Sequence, residues 1–211
     1  MTRKKRWLKR LGVTFLLMIG CFVSVTMFTI YRQVQQVMKW QTEVNAASKK
    51  YGIEEYSDIA LAIIFTESKG EHVDLMQSSE SRYGIRNQIS TTEESIDSGT
   101  EHLAEVIKVA QDKDCDIWTA VQAYNFGTSY INYVADRGHV DSIDTSKTYS
   151  RDVLAPLLGN EKKETYFYKH PLALINNRGR LYKNGGNFLY SQTVKLNLFF
   201  LTIFGDLKSS G

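Results

Sequence analysis

No charged residue interrupts the run from Leu11 to Ile30, and apolar positions then recur at Val34, Val37, Met38, Val44, Ala47 and Tyr51. As a helix the first stretch reaches roughly 30 Å, the thickness of a bilayer's hydrocarbon core, which predicts a membrane-spanning segment over 11–30. The second has a near-helical interval and predicts an amphipathic stem over 31–50, ended at Gly52. Ile59, Ala60, Leu61, Ala62, Ile63, Ile64 and Phe65 are apolar without a break, so a short buried helix is expected through Glu67, capped by Ser57 or Asp58, with Gly70 just past its end.

Residues 71–90 have no period and are rich in Ser, Asp, Asn and Gln, which predicts a long ordered loop of the kind that often carries function. Thr91-Thr92-Glu93-Glu94 fits a capping box ahead of Ile96, Leu103, Val106, Ile107 and Ala110. Asp116 opens a helix containing Trp118, Val121 and Tyr124 that Gly127 closes, and Tyr130 to Asp136 adds a turn or two before Gly138. Further on, Thr165–Tyr168, Arg180–Tyr182 and Phe188–Tyr190 read as short strands around the turn Asn184-Gly185-Gly186-Asn187. The last apolar segment, Leu196 to Phe204, is too short to span a bilayer and reads as a core helix. The fold class expected is mainly α: one domain over 51–211 with a small β excursion, preceded by one transmembrane helix.

Charge sharpens the N-terminus. Arg3, Lys4, Lys5, Arg6, Lys9 and Arg10 precede the apolar run, so residues 1–10 are expected to stay cytoplasmic and the domain to lie outside the cell. Thr29-Ile30-Tyr31-Arg32 offers no small-x-small exit, which favours an anchor over a cleaved signal peptide. Met18-Ile19-Gly20-Cys21 echoes a lipoprotein signal, but apolar residues continue past Cys21. Without the six basic residues the chain has 20 Lys and Arg against 23 Asp and Glu, so the exported part is weakly acidic and nucleic acid is not an expected partner. Cys115 is expected outside the bilayer and Cys21 within it, so no disulfide framework is expected.

The candidate chemistry centres on Glu67. Burying an unpaired carboxylate is costly, and a glutamate flanked by Ile63, Ile64 and Phe65 keeps its proton to higher pH than a free one. Glycosidic cleavage needs such an acid. His72, His102, His139 and His170 show no ligand spacing, so neither metal nor cofactor is expected. Ser78, Ser79 and Ser81 lack a nucleophile motif. The aromatic set Tyr124, Phe126, Tyr130, Tyr133 and Tyr149 falls at helical spacing, which places most of it in the core.

Glu67-Ser68, Met76-Gln77-Ser78-Ser79 and Ala123-Tyr124-Asn125-Phe126-Gly127 occur in the order of the Glu-Ser, Leu-Met-Gln and Ala-Tyr-Asn signature of the goose-type lysozyme and soluble lytic transglycosylase superfamily. With Ala155-Pro156-Leu157-Leu158-Gly159-Asn160 and Asn184-Gly185-Gly186-Asn187, nearly the whole chain resembles the pneumococcal vaccine antigen A family, membrane-anchored relatives of the CwlT-like lysozyme domain. The resemblance implies a lysozyme-like fold, a Gram-positive type of cell wall, and cleavage of the β-1,4 bond from N-acetylmuramic acid to N-acetylglucosamine in peptidoglycan. It implies Glu67 as the acid, with Ser68, Met76, Gln77, Ser78, Ser79, Tyr124, Asn125 and Tyr149 beside the sugar. Goose-type enzymes place an aspartate shortly after Met-Gln, where this chain has Ser78 and Ser79. Asp74, Glu80 and Asp97 are the candidates for a second carboxylate, and both a muramidase and a lytic transglycosylase are open. So is a catalytically silent wall-binding or cell-division scaffold, and cell-wall or division proteins are possible partners.

Overall fold

The computed structural model describes residues 3–79 and 89–205, so the candidate Glu80 lies outside the described residues. Helix α1, Arg3–Met38, runs through the apolar segment and on into the domain, and its stretch from Leu11 is long and apolar enough to cross a membrane. A two-residue break at Lys39 and Trp40 separates it from α2, Gln41–Lys50. Val34, Val37, Val44 and Ala47 are buried in the main core. The segment expected as a stem is therefore packed into the domain, because its apolar stripe faces α3 and its neighbours.

Helix α3, Ser57–Glu67, is the centre of that core: Ile59 through Phe65 are all buried, and α1, α2 and a C-terminal helix pack around it. A helix apolar on every side has no face to give to water and sits inside. Neither Ser57 nor Asp58 caps it, contrary to expectation. A 3₁₀ turn, Glu54–Tyr56, runs straight into the helix, and its i→i+3 bonding takes up the first helical donor, Ser57 N–H, on Glu54 O.

Helix α4, Thr92–Gln111, starts as expected at Thr91, whose Oγ1 accepts from Glu94 N–H. Glu94 reaches back one residue farther than a standard box, to Ser90 N–H at 3.1 Å. Asp116 caps α5, Ile117–Phe126, through Thr119 N–H, and Gly127 ends it at φ 84°. Helices α6, Ser129–Ala135, and α7, Ile143–Tyr149, follow, and α7 continues as a π turn over Ser150–Leu154. Strands β1, Thr165–Phe167, and β2, Arg180–Tyr182, pair antiparallel with Thr165 opposite Tyr182, flanking α8, Pro171–Asn177.

Phe188–Tyr190 is not a strand. Asn187 forms a turn by accepting from Leu189 N–H through its side chain and from Tyr190 N–H through its carbonyl, and α9, Tyr190–Phe204, begins there. The final helix thus starts six residues before the expected Leu196. Among the described residues the sheet has two strands, and the fold is mainly α.

Candidate active site

Glu67 closes α3, and the chain leaves the core immediately after it. Ser68 and Lys69 N–H both bond to Ile64 O, at 3.0 and 3.1 Å, while Lys69 and Gly70 adopt left-handed φ of 56° and 76°. Gly70 is required there: an added Cβ would lie 3.2 Å from the backbone of Gln36, and its left-handed φ disfavours any side chain. Gln36 Nε2 and Trp40 Nε1 donate to Gly70 O at 3.1 and 3.3 Å, tying the helix end to α1 and to the break before α2. Ser68 is buried, donating to Leu75 O at 2.8 Å and accepting from Gly70 N–H at 3.1 Å. Its hydroxyl joins the acid's helix to the next loop.

Asp74 organises that loop. Its Oδ1 accepts from Ser95 Oγ (2.7 Å) and Ser78 N–H (3.0 Å), and its Oδ2 from Ser79 Oγ (2.6 Å) and Ser79 N–H (3.2 Å). Two donors on each oxygen fill the ordinary accepting capacity of a carboxylate. Ser78 and Ser79 are thereby buried, and Met76 is buried too, against Gly99 of α4, where an added Cβ would lie 2.5 Å from Met76 Cβ. Met76 N–H donates to Ser95 Oγ and its carbonyl accepts from Tyr124 Oη at 2.9 Å. Of the four residues Met76 to Ser79, only Gln77 is exposed, at φ 51°. Met76, Ser78, Ser79 and Ser68 shape the loop from within; Gln77 is the one turned outward.

Tyr124 is partly exposed on α5, its ring 4.9 Å from that of His102 and stacked at 6.2 Å on that of Tyr190. Asn125 is exposed and accepts Asn187 N–H at 2.8 Å. Gln122, one turn earlier, donates to Asn187 O and accepts Ser191 N–H. Together they clamp the start of α9 and aim Tyr190, which the sequence reading had not singled out, at the acid. Tyr190 Oη is buried and has no hydrogen-bond partner of standard geometry, yet it lies close enough to Glu67 to act on its acidity. The spacing of Tyr190, Val194 and Leu201, all buried, is the helical signal that would have found it. Tyr149, by contrast, sits in an aromatic cluster, its ring 5.0 to 5.4 Å from those of Tyr133, Tyr130 and Phe126.

The electrostatics converge on one group. Burial pushes the Glu67 carboxyl up to about 7; the Tyr190 hydroxyl opposes the shift and the Asp74 charge adds to it. Burial first, and then the Glu67 charge, hold the Tyr124 and Tyr190 hydroxyls well above their usual range. Tyr168, the residue after β1, is raised by burial and then by the charges of Tyr166 and Glu67. Its ring stacks on His170, which burial and Lys69 keep less basic than usual. Asp97 stands apart on α4, ion-paired with Lys50 of α2 at 2.5 Å.

The match to a lysozyme-like family model spans residues 34–198. A pneumococcal vaccine antigen A homolog of Streptococcus pyogenes serotype M1 is 44% identical over 94% of this chain and 97% of its own length. The bifunctional muramidase/DL-endopeptidase CwlT of Bacillus subtilis is 34% identical over 49% of this chain and 30% of its own. A crystal structure of a protein similar to a lipoprotein of the NLP/P60 family, from Staphylococcus aureus, superposes with a TM-score of 0.71 at 31% identity, over 83% of this chain and 54% of that one.

Proposed function

The chain belongs to the lysozyme-like family, among the pneumococcal vaccine antigen A homologues, and from that premise we propose that it is a membrane-anchored glycosidase that cuts peptidoglycan glycan strands with Glu67 as general acid. The observation that carries this reading is a partly buried carboxyl at the end of an apolar helix, where desolvation outweighs the opposing Tyr190 hydroxyl and lifts Glu67 to about 7. That proton goes to the oxygen bridging N-acetylmuramic acid to N-acetylglucosamine as the bond from muramyl C1 to that oxygen breaks. The muramidase activity in the name of the CwlT relative is consistent with this bond.

Hydrolysis needs a second carboxylate with a lone pair available for water. Asp74 is the carboxylate whose charge reaches Glu67, and four donors already occupy it. Asp97 is bound to Lys50. Among the described candidates, which leave out Glu80, both facts favour a transglycosylase course, in which ionised Glu67 takes the proton of the muramyl C6 hydroxyl while that oxygen bonds to C1, closing a 1,6-anhydro ring without water. Gln77, Tyr124 and Asn125 line the approach to the acid in this reading.

The basic residues in the first turns of α1, ahead of its apolar stretch, favour a cytoplasmic N-terminus and an external domain. The test is mass spectrometry of material released from purified sacculi by the detergent-solubilised full chain. Anhydromuramyl ends, absent with Glu67→Gln, support the reading. Reducing ends would restore a hydrolytic base, and binding without release would leave a silent scaffold.

A further inference from the structure

Between the apolar span and the acid there is no linker. α1 continues unbroken from the span into the core, where Val34 and Val37 are fully buried. The domain grips the first turns beyond the span at several points. The Phe204 ring meets Tyr31 edge-on at 6.1 Å, and the Phe204 carbonyl accepts from Gln35 Nε2 at 2.8 Å. Gly70, just past the acid, touches the Gln36 backbone and is bonded by Gln36 and Trp40. Glu71 shares a surface hollow with Phe28, Thr29 and Arg32.

These contacts fix a height. Gln36 lies six residues beyond Ile30, about 9 Å along a helix axis. Glu67 is three residues from Gly70, a span of at most about 11 Å. With about 6 Å more between Gln36 and Gly70, the acid is thus held within roughly 25 Å of the end of the apolar segment. A flexible tether would let the cleft sample the depth of the wall; a continuous helix does not.

We infer that the substrate of this site is glycan still held at the bilayer by a lipid diphosphate at one end, cut at a set distance from that lipid, rather than detached glycan deeper in the wall. The inference rests on the glycosidase reading above. Protein and substrate in one membrane also share a high effective concentration, which a rigid mount of the right height converts into productive encounters.

The test uses the full chain reconstituted in vesicles containing lipid-linked glycan strands, with detached strands of the same composition supplied separately. A second variant carries a Gly/Ser insert of about 20 residues between Ile30 and Tyr31, which spans roughly 25 Å on average. The wild-type chain should cleave the lipid-linked strands at least about 10-fold faster than detached ones and leave lipid-bound remnants of narrow length. The insert should broaden and lengthen those remnants while leaving cleavage of detached strands unchanged. Remnants equally broad in both proteins, or equal rates on the two substrates, would overturn the inference while leaving the glycosidase reading intact. No cleavage of either substrate, or equal cleavage by Glu67→Gln, would overturn both.

Discussion

Glu67 and Asp141 are both carboxylic acids with raised pKa values, one partly buried and one fully buried, and their surroundings differ. Asp141 is buried beside α6 and α9, with Tyr130 Oη donating to Oδ1 and Ser191 Oγ to Oδ2, each at 2.6 Å, and with its own N–H on Asp116. Burial raises its pKa, but both hydroxyls oppose the shift. At Glu67 burial meets only the Tyr190 hydroxyl, and that without a hydrogen bond of standard geometry. Desolvation with its hydrogen bonds supplied makes a strut between helices. Desolvation with less to oppose it leaves a carboxyl that stays protonated to higher pH.

The contrast breaks most visibly at the acid itself. Glu67→Gln keeps the shape and removes the transferable proton, and glycan cleavage should fall by roughly 10²–10⁴-fold. A variant as active as wild type would place the acid elsewhere. At the other site Asp141→Ala should leave two buried hydroxyls unpaired and cost about 4 kcal/mol of stability, read as a lowered denaturant midpoint. Cleavage per folded molecule should hardly change. If Asp141→Ala abolished cleavage in a protein that remained folded, the division of labour between the two carboxyls would be lost.

A smaller effect separates them by pH. The folded pKa of Glu67 lies above its usual value of 4.5, at about 7, so the folded state binds more protons than the unfolded one in that interval. Stability from this group is complete below about 4.5 and is lost as pH rises through about 7, a total on the order of 3 kcal/mol. Thermal melts of wild type and Glu67→Gln should therefore coincide near pH 4 and diverge by pH 8, with the Gln variant the more stable. Activity that needs protonated Glu67 should decline over the same rise. Smallest of all, Tyr190→Phe removes the one group that holds the Glu67 pKa down. The alkaline limb of the rate profile should move to higher pH, and a shift to lower pH would show that Tyr190 does not act on the acid.

Much of this site could be read in the chain. Glu67 stood out because seven apolar residues lead to it, and burial of that run needs no partner information. The caps at Thr91 and Asp116 and the stop at Gly127 were legible because each is settled within three or four residues. Asp74 and Tyr190 were different. Asp74 was a candidate base until Ser95, Ser78 and Ser79 were seen to fill its oxygens, and Ser95 is 21 residues away. Tyr190 read as part of a strand because Phe-Leu-Tyr has β propensity, and the Asn187 turn held by Gln122 and Asn125 from α5 overrode it.

The amino-acid sequence by itself determined which stretches must leave water, where the helices with local caps begin, and that a carboxylate sits at the end of the most apolar of the domain's helices, because those properties follow from side chains within a few residues of one another. Only the tertiary structure decided that Glu67 meets one opposing hydroxyl while the oxygens of Asp74 and Asp141 are bonded on both sides, and that the expected stem is part of the core that holds Glu67 close to the apolar span. Hydrogen-bond partners come from across the fold, and a group's acidity depends on which of them arrive.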